Sequence, residues 1–259
     1  LLKPVISKNE VYLNFRNKFP NFQMKYRLIL FFLMLISLQT LKAQITADIS
    51  MLGGTNYASS GLYSDFAGGI TAVVSEWQFE ATAGVTLSNE RENIFNALRM
   101  DVSRDFSIKE KSVTGHVFYQ WKPFSAILHE HNAGIIFHYY SNKFSYDIGL
   151  NTRIFKLPNV YAELNDYDQT SLWEPINLMY RITYYHPFSD QWDFKASVTN
   201  FDAFLIQQET NPMLVTNLGY QFSATSKLYL DLGYLQAGLM NIRVNYFGYF
   251  IRGGIQWKL

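Results

Sequence analysis

Trp77 to Leu87 reads WQFEATAGVTL, with Trp77, Phe79, Ala81, Ala83, Val85 and Leu87 alternating with Gln78, Glu80, Thr82, Gly84 and Thr86. Successive side chains of an extended chain point to opposite faces, so this segment is a strand with one apolar and one polar face. The same period of two returns in Val113 to Trp121, Tyr146 to Ile154, Leu178 to Tyr184, Trp192 to Val198, Leu214 to Phe222 and Leu228 to Tyr234. It closes the chain, where Ile251, Gly253, Ile255, Trp257 and Leu259 oppose Arg252, Gln256 and Lys258. After Gln44 no window longer than a few residues carries the i, i+3, i+4 apolar spacing of a helix.

Twelve strands are predicted, at 45–55, 65–75, 77–88, 94–106, 112–122, 132–141, 145–156, 177–186, 191–200, 213–223, 227–236 and 241–259. The connections alternate in length. Those after even strands are tight, as at Ser75-Glu76-Trp77, Asn142 to Phe144 and Pro187 to Gln191, whereas those after odd strands are longer, the longest being 157–176. Short turns at one rim and long loops at the other are the arrangement of a transmembrane, antiparallel up-and-down β-barrel, here of about twelve strands within a range of ten to fourteen. A soluble β-sandwich shares the alternation. Aromatic residues near strand ends, where interfacial girdles sit, favour the barrel.

Composition agrees. Apolar residues make up 48% of the 259 and charged ones 17%, with 21 Phe, 18 Tyr and 5 Trp; a soluble domain carries nearer a quarter charged residues. The absence of cysteine excludes disulfides, thiolate metal sites, a cysteine nucleophile and a lipidated mature N-terminal Cys. Of 22 Lys and Arg, seven lie in residues 1–44 with one acid, Glu10, which leaves 15 bases against 20 acids in 45–259. A mildly acidic barrel has no electrostatic claim on nucleic acid.

Met24 begins MKYRLILFFLMLISLQTLKAQ, with Lys25 and Arg27 before an apolar core from Leu28 to Leu38. This is the layout of a signal peptide, with cleavage expected after Ala43, and it is short of the ~20 apolar residues of a membrane-spanning helix. Residues 1–23 carry no organised periodicity and are expected to be an upstream extension from a misassigned start; the barrel is expected over 44–259.

Several features resemble the small outer-membrane barrels of the Bacteroidota. They are the signal ending in Lys42-Ala43-Gln44, the turns His186 to Trp192 and Phe222 to Leu228, and the ending Gly248-Tyr249-Phe250-Ile251-Arg252-Gly253-Gly254-Ile255-Gln256-Trp257-Lys258-Leu259. The resemblance implies the outer membrane as location, its lipid as surroundings and the barrel-assembly machinery as partner during insertion. In such barrels an apolar-alternating last strand is read by that machinery; Leu259 stands where Phe or Trp is common.

If the apolar parity faces lipid, the other parity projects Glu80, Arg99, Asp101, Asp105, His116, His138, Asp147, Arg153, Arg181, Asp193, Lys195, Asp231 and Arg252 into the lumen. One reading is a structural network of paired charges, because an uncompensated charge away from water is costly. The other is a solute path, narrow at this strand number, with no strong ion preference. Passive transport or binding is therefore the expected role, with a possible solute, glycan or envelope protein as partner and no cofactor.

Two other classes compete, a lipid hydrolase and a structural accessory barrel of an envelope complex. His138-Tyr139-Tyr140-Ser141-Asn142 resembles the His-x-Ser-Asn element of barrel lipid hydrolases with one residue too many, so in a regular strand His138 and Ser141 face opposite ways. His129 and His131, around Glu130 in the expected loop after the fifth strand, have metal-like spacing, but no metal is assigned to them. The longest loop holds Tyr161, Glu163, Asp166, Asp168, Trp173 and Glu174, an acidic and aromatic set suited to surface binding. Gly68, Gly69, Gly248, Gly253 and Gly254 are expected to mark bends or bulges.

Overall fold

In a computed structural model, residues 43–56, 59–87, 95–108, 111–123, 128–157, 171–202, 208–237 and 246–259 are described. They form twelve strands: β1 Gln44–Asn56, β2 Ser59–Val74, β3 Trp77–Thr86, β4 Phe95–Ile108, β5 Lys111–Pro123 and β6 His129–Ser141. The remaining six are β7 Phe144–Lys156, β8 Ser171–Pro187, β9 Trp192–Phe201, β10 Gln208–Gln221, β11 Ser226–Ala237 and β12 Tyr246–Lys258. Each strand pairs antiparallel with its sequence neighbours, and β1 pairs with β12 from Thr46↔Lys258 to Gly54↔Phe250, which closes the barrel. Closure gives every strand two partners, the condition for β-structure in a bilayer.

The tight connections gather at one rim. Ser75 (φ 57°) and Asn142 (φ 55°) take left-handed conformations in two of them, and Leu259 N donates to Ile45 O at 2.9 Å, so both ends of the barrel lie at this rim. All twelve expected strands are present. At the opposite rim four begin earlier than expected, β2 at Ser59, β6 at His129, β8 at Ser171 and β10 at Gln208. The register shifts at Thr55/Asn56, Gly84/Val85, Asn151/Arg153 and Gln208/Met213 also sit toward that rim. A bulge reverses the inward and outward parity, so alternation fades there while pairing continues.

The glycines correct one expectation. No register shift falls at Gly68, Gly69, Gly248, Gly253 or Gly254. Instead several inward glycines leave room for large neighbours, as where a Cβ at Gly254 would lie 2.3 Å from Tyr229 Cζ.

The outer wall is apolar. Val117, Ile148, Leu178, Leu214, Leu232 and Ile251 are exposed, Val117 and Ile148 by 61% and 60%. A continuous apolar belt of this kind is far larger than the patches soluble monomers expose. Aromatic rings border it at both rims: Phe144–Tyr184 at 5.4 Å and Trp192–Tyr220 at 4.6 Å beside the turns, Phe95–Trp121 at 5.5 Å at the other. On β4, Phe95 and Phe106 are separated by ~36 Å of strand, or roughly 28 Å along the axis at a tilt of about 40°, close to the height of a bilayer's apolar band.

Candidate functional site: the barrel lumen

Side chains of the polar parity point inward and form layers. On β5 the inward order from the turn rim is Thr114, His116, Phe118, Gln120; on β8 it is Tyr185, Thr183, Arg181, Met179, Asn177. On these two strands a charged or His position therefore lies beneath an apolar one, with an amide above; on β4, Asp101 and Arg99 pair with Phe118 and Gln120. Phe118, Ile136, Met179 and Phe201 form one buried apolar cluster, and Met213 and Phe250 a second.

Below the apolar layer is a vestibule of about 870 Å³. Its lining runs from Tyr140, Ser145, Tyr185 and Gln256 near the turn rim up to Ile136, Phe201 and Val215. The predicted inward residues Glu80, Arg99, His116, His138, Asp147, Arg181, Lys195, Asp231 and Arg252 all line it. Asp101 lies just behind, 2% exposed.

Most of these charges are paired. Arg99 holds Glu80 Oε1 at 3.2 Å and Asp101 Oδ2 at 2.9 Å, and Asp101 Oδ1 meets His116 Nδ1 at 3.0 Å. Asp147 meets His138 Nδ1 at 2.6 Å with one oxygen and accepts from Arg181 Nε with the other. Arg252 bridges Asp202 at 2.9 Å and Asp231 at 3.4 Å, while Lys227 Nζ lies 2.6 Å from Asp193. Tyr229 Oη donates to Asp48 Oδ1 at 2.9 Å. Pairing at these distances offsets the desolvation of burying the charges.

The structure separates two predicted residues from this group. Arg153 is inward but above the apolar layer, where it binds Glu130 Oε1 at 2.7 Å and Glu174 Oε2 at 3.3 Å. Asp105 is exposed toward the turn rim and accepts from Thr114 Oγ1. Asp48, Glu130, Asp202, Lys227 and Tyr229 were missed. Extending the period-2 parity through Thr46-Asp48-Ser50 and Lys227-Tyr229-Asp231 would have found three of them; Asp202, past the end of β9, gave no such signal.

The expected surface loop is shorter than 157–176. Trp173 and Glu174 belong to β8, because pairing resumes at Lys156↔Ser171 beyond the bulge. Trp173 Nε1 donates to Thr152 Oγ1 at 2.7 Å, and Glu174 turns to Arg153. Tyr161, Glu163, Asp166 and Asp168 lie outside the described residues. His129 and His131 are likewise in β6 rather than a loop: His129 stacks on Trp121 at 5.7 Å and His131 Nδ1 meets Tyr119 Oη at 2.7 Å. The β6–β7 register is regular, so Ser141 points away from the inward His138. His138 and Ser141 thus form no nucleophile–base pair.

An apolar exterior, a charged interior and closure of one chain on itself define an integral barrel of the outer-membrane type. No protein-family profile and no curated protein sequence matches the chain. Among solved structures it is similar to the NanC porin, at 12% identity and a TM-score of 0.49 over 82% of this chain and all of that one. It is also similar to the translocator domain of the autotransporter NalP from Neisseria meningitidis, at 14% identity and 0.48 over 92% and 98%. The outer membrane phospholipase A from Escherichia coli is similar at 9% identity and 0.42 over 82% and 89%.

Proposed function

We propose that this protein is a narrow outer-membrane channel for passive movement of small polar solutes, with the vestibule as its solute-facing chamber. The observation that carries the reading is a lumen lined by charges of both signs around about 870 Å³, inside a wall whose exterior is apolar. Such a lining solvates polar groups that the bilayer would reject, while twelve strands and the apolar layer keep the path narrower than in the wide 16- to 18-stranded porins.

Export by a signal peptide cleaved after Ala43 fits a first strand that starts at Gln44. The reading includes insertion by the barrel-assembly machinery of a Bacteroidota-type envelope, which the terminal strand paired with β1 supports. A hydrolase reading is disfavoured, because Ser141, three residues after His138, faces away from it.

Single-channel recording of the refolded 44–259 protein in a planar bilayer, beside a heat-modifiability gel that reports folding, tests the proposal. Discrete conductance steps are expected. A folded barrel that stays silent would overturn it.

A further inference from the structure

We infer that the vestibule contains an anion subsite at Lys195, whose ligand is a small solute bearing a carboxylate or phosphate group. The inference rests on the reading of the vestibule as a solute chamber, though binding does not require the barrel to conduct.

Lys195 sits inward on β9, opposite Tyr185 of β8 and Asn217 of β10. Among the described residues no carboxylate lies within 4.0 Å of its Nζ. The two carboxylates nearest in the strand lattice are taken. Asp231 accepts from Asn217 Nδ2 and pairs with Arg252; Asp193, two residues before Lys195, pairs with Lys227 at 2.6 Å.

Gly219 explains the second pairing. Lys227 is on β11, two strands from Asp193, and it reaches across β10 where Gly219 has no side chain. A Cβ there would lie 2.3 Å from Lys227 Cε and 2.6 Å from Asp193 Oδ2. The glycine lets Lys227 claim the acid that would otherwise neutralise Lys195. The other Lys and Arg side chains of the lining are engaged, Arg99 by Glu80 and Asp101, Arg181 by Asp147, and Arg252 by Asp202 and Asp231. The lining carboxylate without a cation, Asp48, is on β1 and held by Tyr229.

An inward ammonium with no carboxylate in contact can offer its N–H groups to an anionic group of a solute that enters the chamber. Tyr185, opposite Lys195, and the Thr183–Ser197 pair one step along the strands, whose hydroxyls bond each other at 2.9 Å and leave one O–H to donate, add hydroxyl groups of the kind a carboxylate or phosphate accepts from.

Calorimetric titration of the refolded full barrel in micelles with sodium acetate, and separately with inorganic phosphate, tests this and separates the two ligand chemistries. Saturable binding of at least one probe is expected, weakened about tenfold or more by Lys195→Gln and kept by Lys195→Arg. Gly219→Ala should weaken it similarly without touching Lys195, since the displaced Lys227 frees Asp193. The heat-modifiability gel checks that each variant folds. Equal binding by wild type and Lys195→Gln, or no saturable binding of either probe by the folded wild type, overturns the inference. Binding by a barrel that is silent in the bilayer would sink the channel and leave the subsite standing; conductance without binding would do the reverse.

Discussion

Tyr229 on β11 lies across Gly254 on β12 and donates its hydroxyl to Asp48 on β1, two strands away at 2.9 Å. The same device appears twice more. Lys227 crosses Gly219 to reach Asp193, and Phe250 covers Gly233 on β11 to pack with Met213 on β10. At these three places a long inward side chain ties together strands that are not neighbours because the strand between them presents no side chain. Gly254→Ala should therefore destabilise the barrel by about 1–3 kcal/mol, the usual cost of overpacking. Gly253→Ala, next door on the lipid face with nothing within 4 Å of the added methyl, should be neutral or slightly stabilising because it removes chain entropy. Urea midpoints in lipid vesicles compare the two; equal effects would mean that Gly254 is not a window.

The strands were legible because a bilayer wall imposes one strict rule, apolar out and polar in, on every membrane-spanning segment. Glu80, Asp147 and Arg252 could be placed in the lumen from parity alone. Toward the loop rim the rule lapses, and Ser171-Leu172-Trp173-Glu174 reads as loop although it is paired, because a bulge at Asn151/Arg153 shifts its parity. The apolar layer was hidden for a different reason. In Ile135-Ile136-Phe137 the outer two residues meet lipid while Ile136 turns into the lumen, so the run shows no alternation of polarity. Which acid each base would take was not legible either, since Lys227 finds Asp193 through a glycine on a strand between them.

Arg252 is the hub of a charge group, 5% exposed and bonded to carboxylates from two segments. Arg252→Met should cost about 3–5 kcal/mol, because it removes the guanidinium that pairs with both Asp202 and Asp231. The triple variant Arg252→Met, Asp202→Asn, Asp231→Asn should recover much of that loss. The same unfolding measurement decides it: a triple variant as unstable as the single one would show that packing around the guanidinium, rather than its charge, is what matters.

The exterior makes a separate prediction. Ile148 on β7 is 60% exposed at mid-height of the wall, beside the inward Asp147. Ile148→Arg should destabilise the folded barrel in vesicles by about 2–4 kcal/mol, the cost of a cation at the bilayer midplane. Lys258→Arg, at the turn rim, should have almost no effect. If Ile148→Arg were tolerated without loss, that face would be meeting water and the outward orientation assigned to the apolar parity would be wrong.

The apolar layer makes the most direct claim about transport. Phe118 is 2% exposed and packs with Ile136, Met179 and Phe201 just above the charged vestibule. A cluster of apolar side chains resists wetting, so it rather than the charges below should limit flux. Phe118→Ala removes a ring from that layer and should raise single-channel conductance, while losing about 3–5 kcal/mol of stability if the space stays dry and less if water fills it. Asp105→Asn, out at the turn rim, should leave conductance as it is. Were Phe118→Ala to conduct like the wild type, the narrowest point would have to lie elsewhere along the lumen, and the vestibule charges would become the next residues to vary.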